Sequence, residues 1–303
     1  MTCVACIDAF AQDDGASHFA PEAQVVLAAD NDGFHASRAR IGALYRYDNP
    51  WSFAGAAVQS AAYSQGEYRK DVESILGVYR DQRRDTLAGI DAEAGLARVS
   101  GHLRPIGDAT LRLATSLESA VDLIASADLV ETPQALDEGI GYTFAAVNVE
   151  QQLGSRFTAT GLAGHQWFTD GNSRDHLRAR LIWLALPDDG VTLQLRYREY
   201  WSGKEDVGGA YFNPENYRQA LIVSAIRKRY EGWIYGGTLG AGREKSTGVD
   251  SRPSYLAEAN AEGPLAGPLR ILLRAGYYRS AAFIDNPTYA YRLFTAQVIL
   301  PLR

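Results

Sequence analysis

The chain has 303 residues, 46% of them hydrophobic and 22% charged, enough for one large β domain or two ordinary domains. That balance is too apolar for a disordered chain, and no run of about 18 apolar residues is present to form a transmembrane helix. A formal charge of −6 speaks against nucleic acid as a partner, because such binders present a basic face.

Residues 1–21 read as a leader. Ala9-Phe10-Ala11 before Gln12 has the small-x-small form of a secretory cleavage site, although the segment before it is short and lacks a basic start. It is either the remnant of an export signal or a tail. Cys3 and Cys6 are the chain's two cysteines. The body therefore has no thiol for disulfides, metal ligation or catalysis, and no second ligand pair follows the CxxC. No cofactor is expected.

From residue 22 onward, period-two patterning recurs. Candidate strands fall at 22–29, 36–47, 51–63, 68–80, 85–98, 108–118, 120–130 and 139–151, then at 156–168, 175–186, 191–202, 218–230, 232–244, 253–263, 268–280 and 289–301. Segment 120–130 also fits a short helix. In "TLQLRYREYW", Leu193, Leu195, Tyr197 and Trp201 share one face and Gln194, Arg196 and Arg198 the other. In "SYLAEANAE", Tyr255, Ala257, Ala259 and Ala261 oppose Glu258, Asn260 and Glu262. Runs of about ten residues are long for soluble strands but suit tilted strands crossing a bilayer.

Tight turns at Pro187–Gly190, Glu231–Gly232, Leu153–Ser155 and Gly263–Pro268 alternate with longer polar connections at 131–138, 169–174, 203–217, 245–252 and 281–288. An up-and-down membrane barrel has this rhythm, with short turns on one rim and longer loops on the other. The rhythm is less regular before residue 70. Aromatic residues at predicted strand ends match interfacial girdles: Tyr45, Tyr47, Trp51, Tyr79, Trp167, Trp201, Tyr211, Trp233, Tyr235, Tyr277, Tyr278, Tyr289 and Tyr291. A soluble β-sandwich is the competing fold, and patterning by itself does not say which face is inside. The expectation is an all-β, antiparallel transmembrane β-barrel of about 16 strands over residues 22–303.

Catalytic signatures are weak. No HExxH, GxSxG or phosphate loop occurs, and the Gly-rich "LGAGRE" precedes no helix. Asp170, His165, His176 and Ser173 could be forced into a hydrolase set, but ordinary loop polarity explains them. The expectation is no enzyme. The charged rows say more. Arg38, Arg40, Arg178, Arg180, Arg196, Arg198, Arg270 and Arg274 fall on polar faces, as do Asp71, Glu73, Asp91, Glu93, Glu118, Glu258 and Glu262. Acids thus gather early and arginines late, which in a closed barrel would set a basic wall across from an acidic one. Such charges either line a pore or pair and rigidify the barrel. The lumen residues expected are Arg178, Arg180, Arg196, Arg198, Arg274, Glu258, Glu262, Asp91 and Glu93. In "YFNPENY", Pro214 holds Asn213 extended. Tyr211, Phe212, Asn213 and Tyr217 are expected to shape the outer mouth, either against sugars or as interfacial strand ends.

The stretch from "DEGIGYTFAAVNVEQQLGSRFTATGLAGHQWF" through "LQLRYREYW" and "GAYFNPENYRQALIVSAIRKRYEGWIYGGTLGAGRE" to the last strand, about residues 136–301, resembles the C-terminal outer-membrane barrel of exopolysaccharide export porins. These are the poly-N-acetylglucosamine and cellulose export type, which carry tetratricopeptide repeats before the barrel; a related barrel-only family is also similar. The resemblance implies a sixteen-stranded barrel in the bacterial outer membrane, in contact with its lipid, through which a polysaccharide leaves the cell. It also implies a periplasmic tetratricopeptide scaffold, either on another chain or in a larger system of which this is only the barrel part. The chain departs from the usual pattern in ending "VILPLR", where such barrels finish on an aromatic residue. A small-solute porin or a structural barrel is the alternative function, and an outer-membrane hydrolase a more remote one.

Overall fold

The structure is a computed structural model, and it describes residues 18–204, 206–280 and 289–302. The leader expectation covers residues that lie mostly outside this range. Sixteen strands follow one another. The first eight are β1 (His18–Asp30), β2 (Phe34–Asn49), β3 (Ser52–Gln65), β4 (Tyr68–Gln82), β5 (Gly89–Val99), β6 (His102–Ala114), β7 (Ser119–Leu129) and β8 (Gly141–Leu153). The rest are β9 (Phe157–Phe168), β10 (Ser173–Leu186), β11 (Val191–Ser202), β12 (Asn216–Tyr230), β13 (Trp233–Ser246), β14 (Arg252–Ala266), β15 (Leu269–Arg279) and β16 (Ala290–Ile299). A short helix, α1 (Pro133–Glu138), lies between β7 and β8.

Each strand pairs antiparallel with its neighbours in sequence, and β1 pairs with β16 from Glu22↔Ile299 to Asp30↔Tyr291, closing the barrel. Closure leaves no row of unpaired backbone N–H and C=O groups, which hydrocarbon would not tolerate. Segment 120–130 is strand, not helix, and β1 begins at His18, ahead of residue 22. Leu117 and Glu118 lie in the turn after β6, not in the strand assigned to them.

Burial along β12 identifies the outside. Ile222 is 67% exposed while Val223 beside it is 0% exposed, and Leu239 of β13 and Ile41 of β2 stand outward like Ile222. The apolar rows therefore face lipid, as a transmembrane barrel requires. Trp167, Trp201, Tyr255 and Tyr277 face outward near one rim, and Tyr45, Tyr79, Phe157, Trp183, Tyr230 and Tyr235 near the other. About half of the aromatics expected in the girdles are elsewhere. Tyr47 points inward, Trp51, Tyr211 and Tyr289 are buried at the rims, and Tyr278 and Tyr291 pack inside.

Both described ends of the chain lie on one rim, joined there by the turns 50–51, 83–88, 115–118, 154–156, 187–190, 231–232 and 267–268. Glu231 (φ 47°) and Gly232 (φ 80°) make a two-residue turn whose twist suits a β-hairpin, as do Ser100 and Gly101 on the other rim. The alternation of short and long connections holds from β7 onward except at 169–172, which is no longer than 187–190. Before β7, the loop rim is as tightly turned as the turn rim, at 31–33, 66–67 and 100–101. Charge on the lipid-facing side tests this orientation directly. Ile222→Arg should destabilise the barrel by about 2–4 kcal/mol if the site lies near mid-bilayer. Urea titration in lipid vesicles would measure it, and an unchanged midpoint would mean that residue 222 does not face lipid.

Candidate functional site

The lumen divides into two sectors of different chemistry. On β2 to β8, inward arginines meet carboxylates. Arg40 binds Glu22 at 2.8 Å and also Glu93, Arg80 binds Asp91 at 2.7 Å, and Arg112 binds Asp122 at 3.1 Å and also Glu150. Around these pairs the wall is apolar: Phe34, Ala57, Ala61, Tyr63, Val72, Leu76 and Val99 form one inward cluster. The connection 130–140 docks against it. Leu136 of α1 is fully buried in the cluster, Glu131 bonds Arg38 and Tyr63, and Ser100 donates to the Leu136 carbonyl at 2.7 Å. Thr132 caps α1 and Gly139 ends it in the left-handed region, so the fold of this loop is set locally as well.

On β9 to β15 the inward rows mix arginines, amides and carboxylates with apolar residues such as Leu162, Ile182, Leu221 and Val223. Arg178 stands directly opposite Arg198, and Arg180 opposite Arg196. Arg196 donates to Gln194 at 2.9 Å and Arg198 to the Tyr217 hydroxyl at 3.0 Å. Glu258 accepts from Tyr278 at 2.6 Å, Glu262 pairs with Arg270 at 3.1 Å, and Arg274 lies between Asn260 and Thr295. Asn260 lies over Gly236, Leu256 over Gly240 and Tyr278 over Gly276, each within 3 Å of where a Cβ would stand. Long side chains therefore lie along the wall instead of projecting into the lumen.

The expected transverse field is corrected. Asp91 and Glu93 on β5 are held by Arg80 and Arg40, so they do not stand as a free acidic wall. Asp71 and Glu73 are on the exterior: they share the face of exposed Ile75, with Glu73 opposite Arg98.

At the loop rim, 203–215 lies over 130–140 and 169–172. Val130, Ala135, Ile140, Phe168, Ala210 and Tyr211 form one apolar cluster, and Thr132 donates to the Ala210 carbonyl. The Tyr211 hydroxyl donates to Asp170 at 2.8 Å and accepts from Asn172 at 3.0 Å; burial, the first cause, raises its pKa, so it stays a donor. Asn172 also donates to Asn213 at 2.8 Å. The Phe212 carbonyl accepts from Arg174, whose guanidinium lies against the rings of Phe168, Tyr200 and Tyr211. Tyr217 sits deeper, on β12, stacked on Tyr200 and donating to Glu244 at 2.8 Å. Arg174 and Asn172 were missed from sequence, and Asp170 was read there as ordinary loop polarity, not as a partner of Tyr211. Arg174 shares its parity with Arg178 and Arg180, which was the available signal.

The hydrolase set does not assemble. His165 faces outward against Asp175 at 2.6 Å, whereas His176 faces inward, bonded to Gln166 at 2.9 Å. Among the described residues no group of His, Cys, Asp and Glu is placed to hold a metal ion.

A closed sixteen-stranded barrel with an apolar exterior, aromatic girdles and a polar lumen defines a transmembrane barrel of the bacterial outer membrane. No protein-family model matches the chain, and no curated protein matches it in sequence. Solved structures share the fold. One is a bacterial polysaccharide outer membrane secretin, at 11% identity with a TM-score of 0.66, covering 93% of this chain and 98% of that one. Another is CdiB from Acinetobacter baumannii, at 9% identity with a TM-score of 0.51, covering 93% of this chain and 60% of that one.

The mouth contacts can be tested without touching the barrel. Tyr211→Ala removes the hydroxyl that joins Asp170 to Asn172 and the ring that stacks on Phe168. The 203–215 connection should then be cleaved at least about tenfold faster by an added protease, as local opening becomes cheaper. Barrel strands should stay protected, and equal cleavage of the two proteins would mean that these contacts do not hold the loop.

Proposed function

We propose that this barrel is a channel through which an exopolysaccharide crosses the outer membrane. The observation that carries the reading is the wall of β9 to β15. It offers hydroxyl, amide and guanidinium groups along its height, with long side chains laid flat over glycines. A polymer in transit needs such a path: many weak hydrogen bonds, none tight enough to stop release. Sixteen-stranded barrels enclose an aqueous passage wide enough for this use. The solved structure named a polysaccharide secretin supports the reading at the level of fold. Half-buried Phe212 and Asn213 at the mouth are of the kinds that stack on and hydrogen-bond sugars.

In this reading the protein does no chemistry. Both described chain ends and the short turns face the periplasm, where a scaffold bearing tetratricopeptide repeats on another chain would deliver the polymer. A second reading, a structural barrel or small-solute porin, draws on the interlocked 130–140 and 203–215 connections, which narrow the mouth.

Single-channel recording of the refolded protein in planar bilayers separates these readings. A conduit should conduct steadily and show reversible interruptions when oligosaccharides of about ten sugars enter, their frequency rising with concentration. Conductance indifferent to every oligosaccharide would favour a small-solute porin, and silence of a folded, inserted barrel a structural role.

A further inference from the structure

We propose that the arginines of β10 and β11 form an anion track, and that the polymer carried bears carboxylate groups; this rests on the conduit reading above. The starting point is a local cost. Arg178 faces Arg198, and Arg180 faces Arg196, as directly opposed residues on the lumen side of one strand pair. Like charges in that position destabilise a sheet. The outer flanks of the Arg178–Arg198 pair carry no charge: Leu162 lies opposite Arg178 on β9 and Gln219 opposite Arg198 on β12.

The rest of the lumen shows what the fold does when it neutralises an arginine. Arg38, Arg40, Arg80, Arg112 and Arg270 each lie against a carboxylate of another segment. On β10 and β11 the bonded partners of Arg196 and Arg198 are the neutral Gln194 and Tyr217. Of the nearer lumen acids, Glu258 lies within electrostatic reach of Arg196. Glu244 accepts from Tyr217 and Ser280, and Glu258 accepts from Tyr278. Arg178 and Arg198 remain exposed within the lumen, so their donors are open to a solute.

The placement is also directional. Down β10 the inward row reads Arg174, His176, Arg178, Arg180, from the aromatic clamp at the mouth to the middle of the strand. Successive members of that row are about 7 Å apart. A guanidinium offers a planar fork that matches a carboxylate with paired hydrogen bonds. A row of such forks in an aqueous lumen gives an acidic polymer repeated, individually weak holds, and it disfavours a cationic one.

The test compares two probes that differ only in charge: cello-oligosaccharides and cellouronate oligomers of the same length, whose C6 carbons are carboxylates. In planar bilayers the protein should be anion-selective by reversal potential. Cellouronate should interrupt conductance at a concentration about tenfold lower than the neutral oligomer, a preference of the size expected for charged hydrogen bonds, and one that weakens in high salt. The double variant Arg178→Gln, Arg198→Gln should lose this preference, the two probes then blocking at about equal concentration. Relief of repulsion should leave its urea midpoint no lower than the parent's, which controls for misfolding. Equal block by both probes, or an undiminished preference in the variant, overturns the anion track and leaves the conduit reading in place. Absence of block by any oligomer, charged or neutral, overturns the conduit reading itself and the polymer class with it.

Discussion

Every part of this molecule answers to one constraint: a backbone inside hydrocarbon must find all its hydrogen-bond partners within the protein. A sheet meets that demand only by closing, and here β1 closes on β16 over the run from Glu22 to Asp30. Closure with consecutive antiparallel neighbours and an even strand number brings the two described ends to one rim. It also commits every side chain to one of two solvents, since a one-residue slip would exchange lipid-facing and lumen-facing rows. Leu193, Leu195 and Tyr197 therefore face lipid because Gln194, Arg196 and Arg198 face the lumen.

Inside the barrel, a division of labour follows from where charge is neutralised. The sector from β2 to β8 satisfies its arginines with its own carboxylates and fills the space between them with apolar side chains. That combination makes a surface against which a loop can fold, and 130–140 does so through Leu136 and Glu131. The opposite strategy governs β9 to β15, where Arg178, Arg198, Asn260 and Arg274 stay accessible and glycines let long side chains lie flat. One half of the lumen thus packs a loop, and the other keeps polar side chains open to the lumen. The mouth joins them, with Arg174 held between rings contributed by β9, β11 and the 203–215 connection.

The sequence made the strand count, their approximate positions and the loop rhythm of the second half legible, because strand length and period two are local properties. It did not make the inside legible. Inward positions of β12 include Leu221 and Val223, while outward positions of β4 include Arg69, Asp71 and Glu73 near the rim. Polarity therefore does not track the lumen strand by strand. Aromatic residues misled for the same reason: Tyr47, Tyr217, Tyr278 and Tyr291 pack inward although they sit near strand ends. Pairings such as Arg38 with Glu131 join residues 93 positions apart and leave no local mark. The arginine pairs were visible as an alternating row on each strand, but their direct opposition depends on the β10–β11 register, which the turn at 187–190 sets.

The central claim is the assignment of inside and outside, and cysteine accessibility along β11 tests it most directly. The starting protein would carry serine at positions 3 and 6, the two cysteines of the chain. Single cysteines at positions 193 to 198 would then be exposed, in lipid vesicles, to a charged maleimide that cannot enter hydrocarbon. The account predicts strict alternation, with fast labelling at 194, 196 and 198 and protection at 193, 195 and 197. Labelling at 193 and 195 with protection at 196 and 198, or labelling without period, would contradict it.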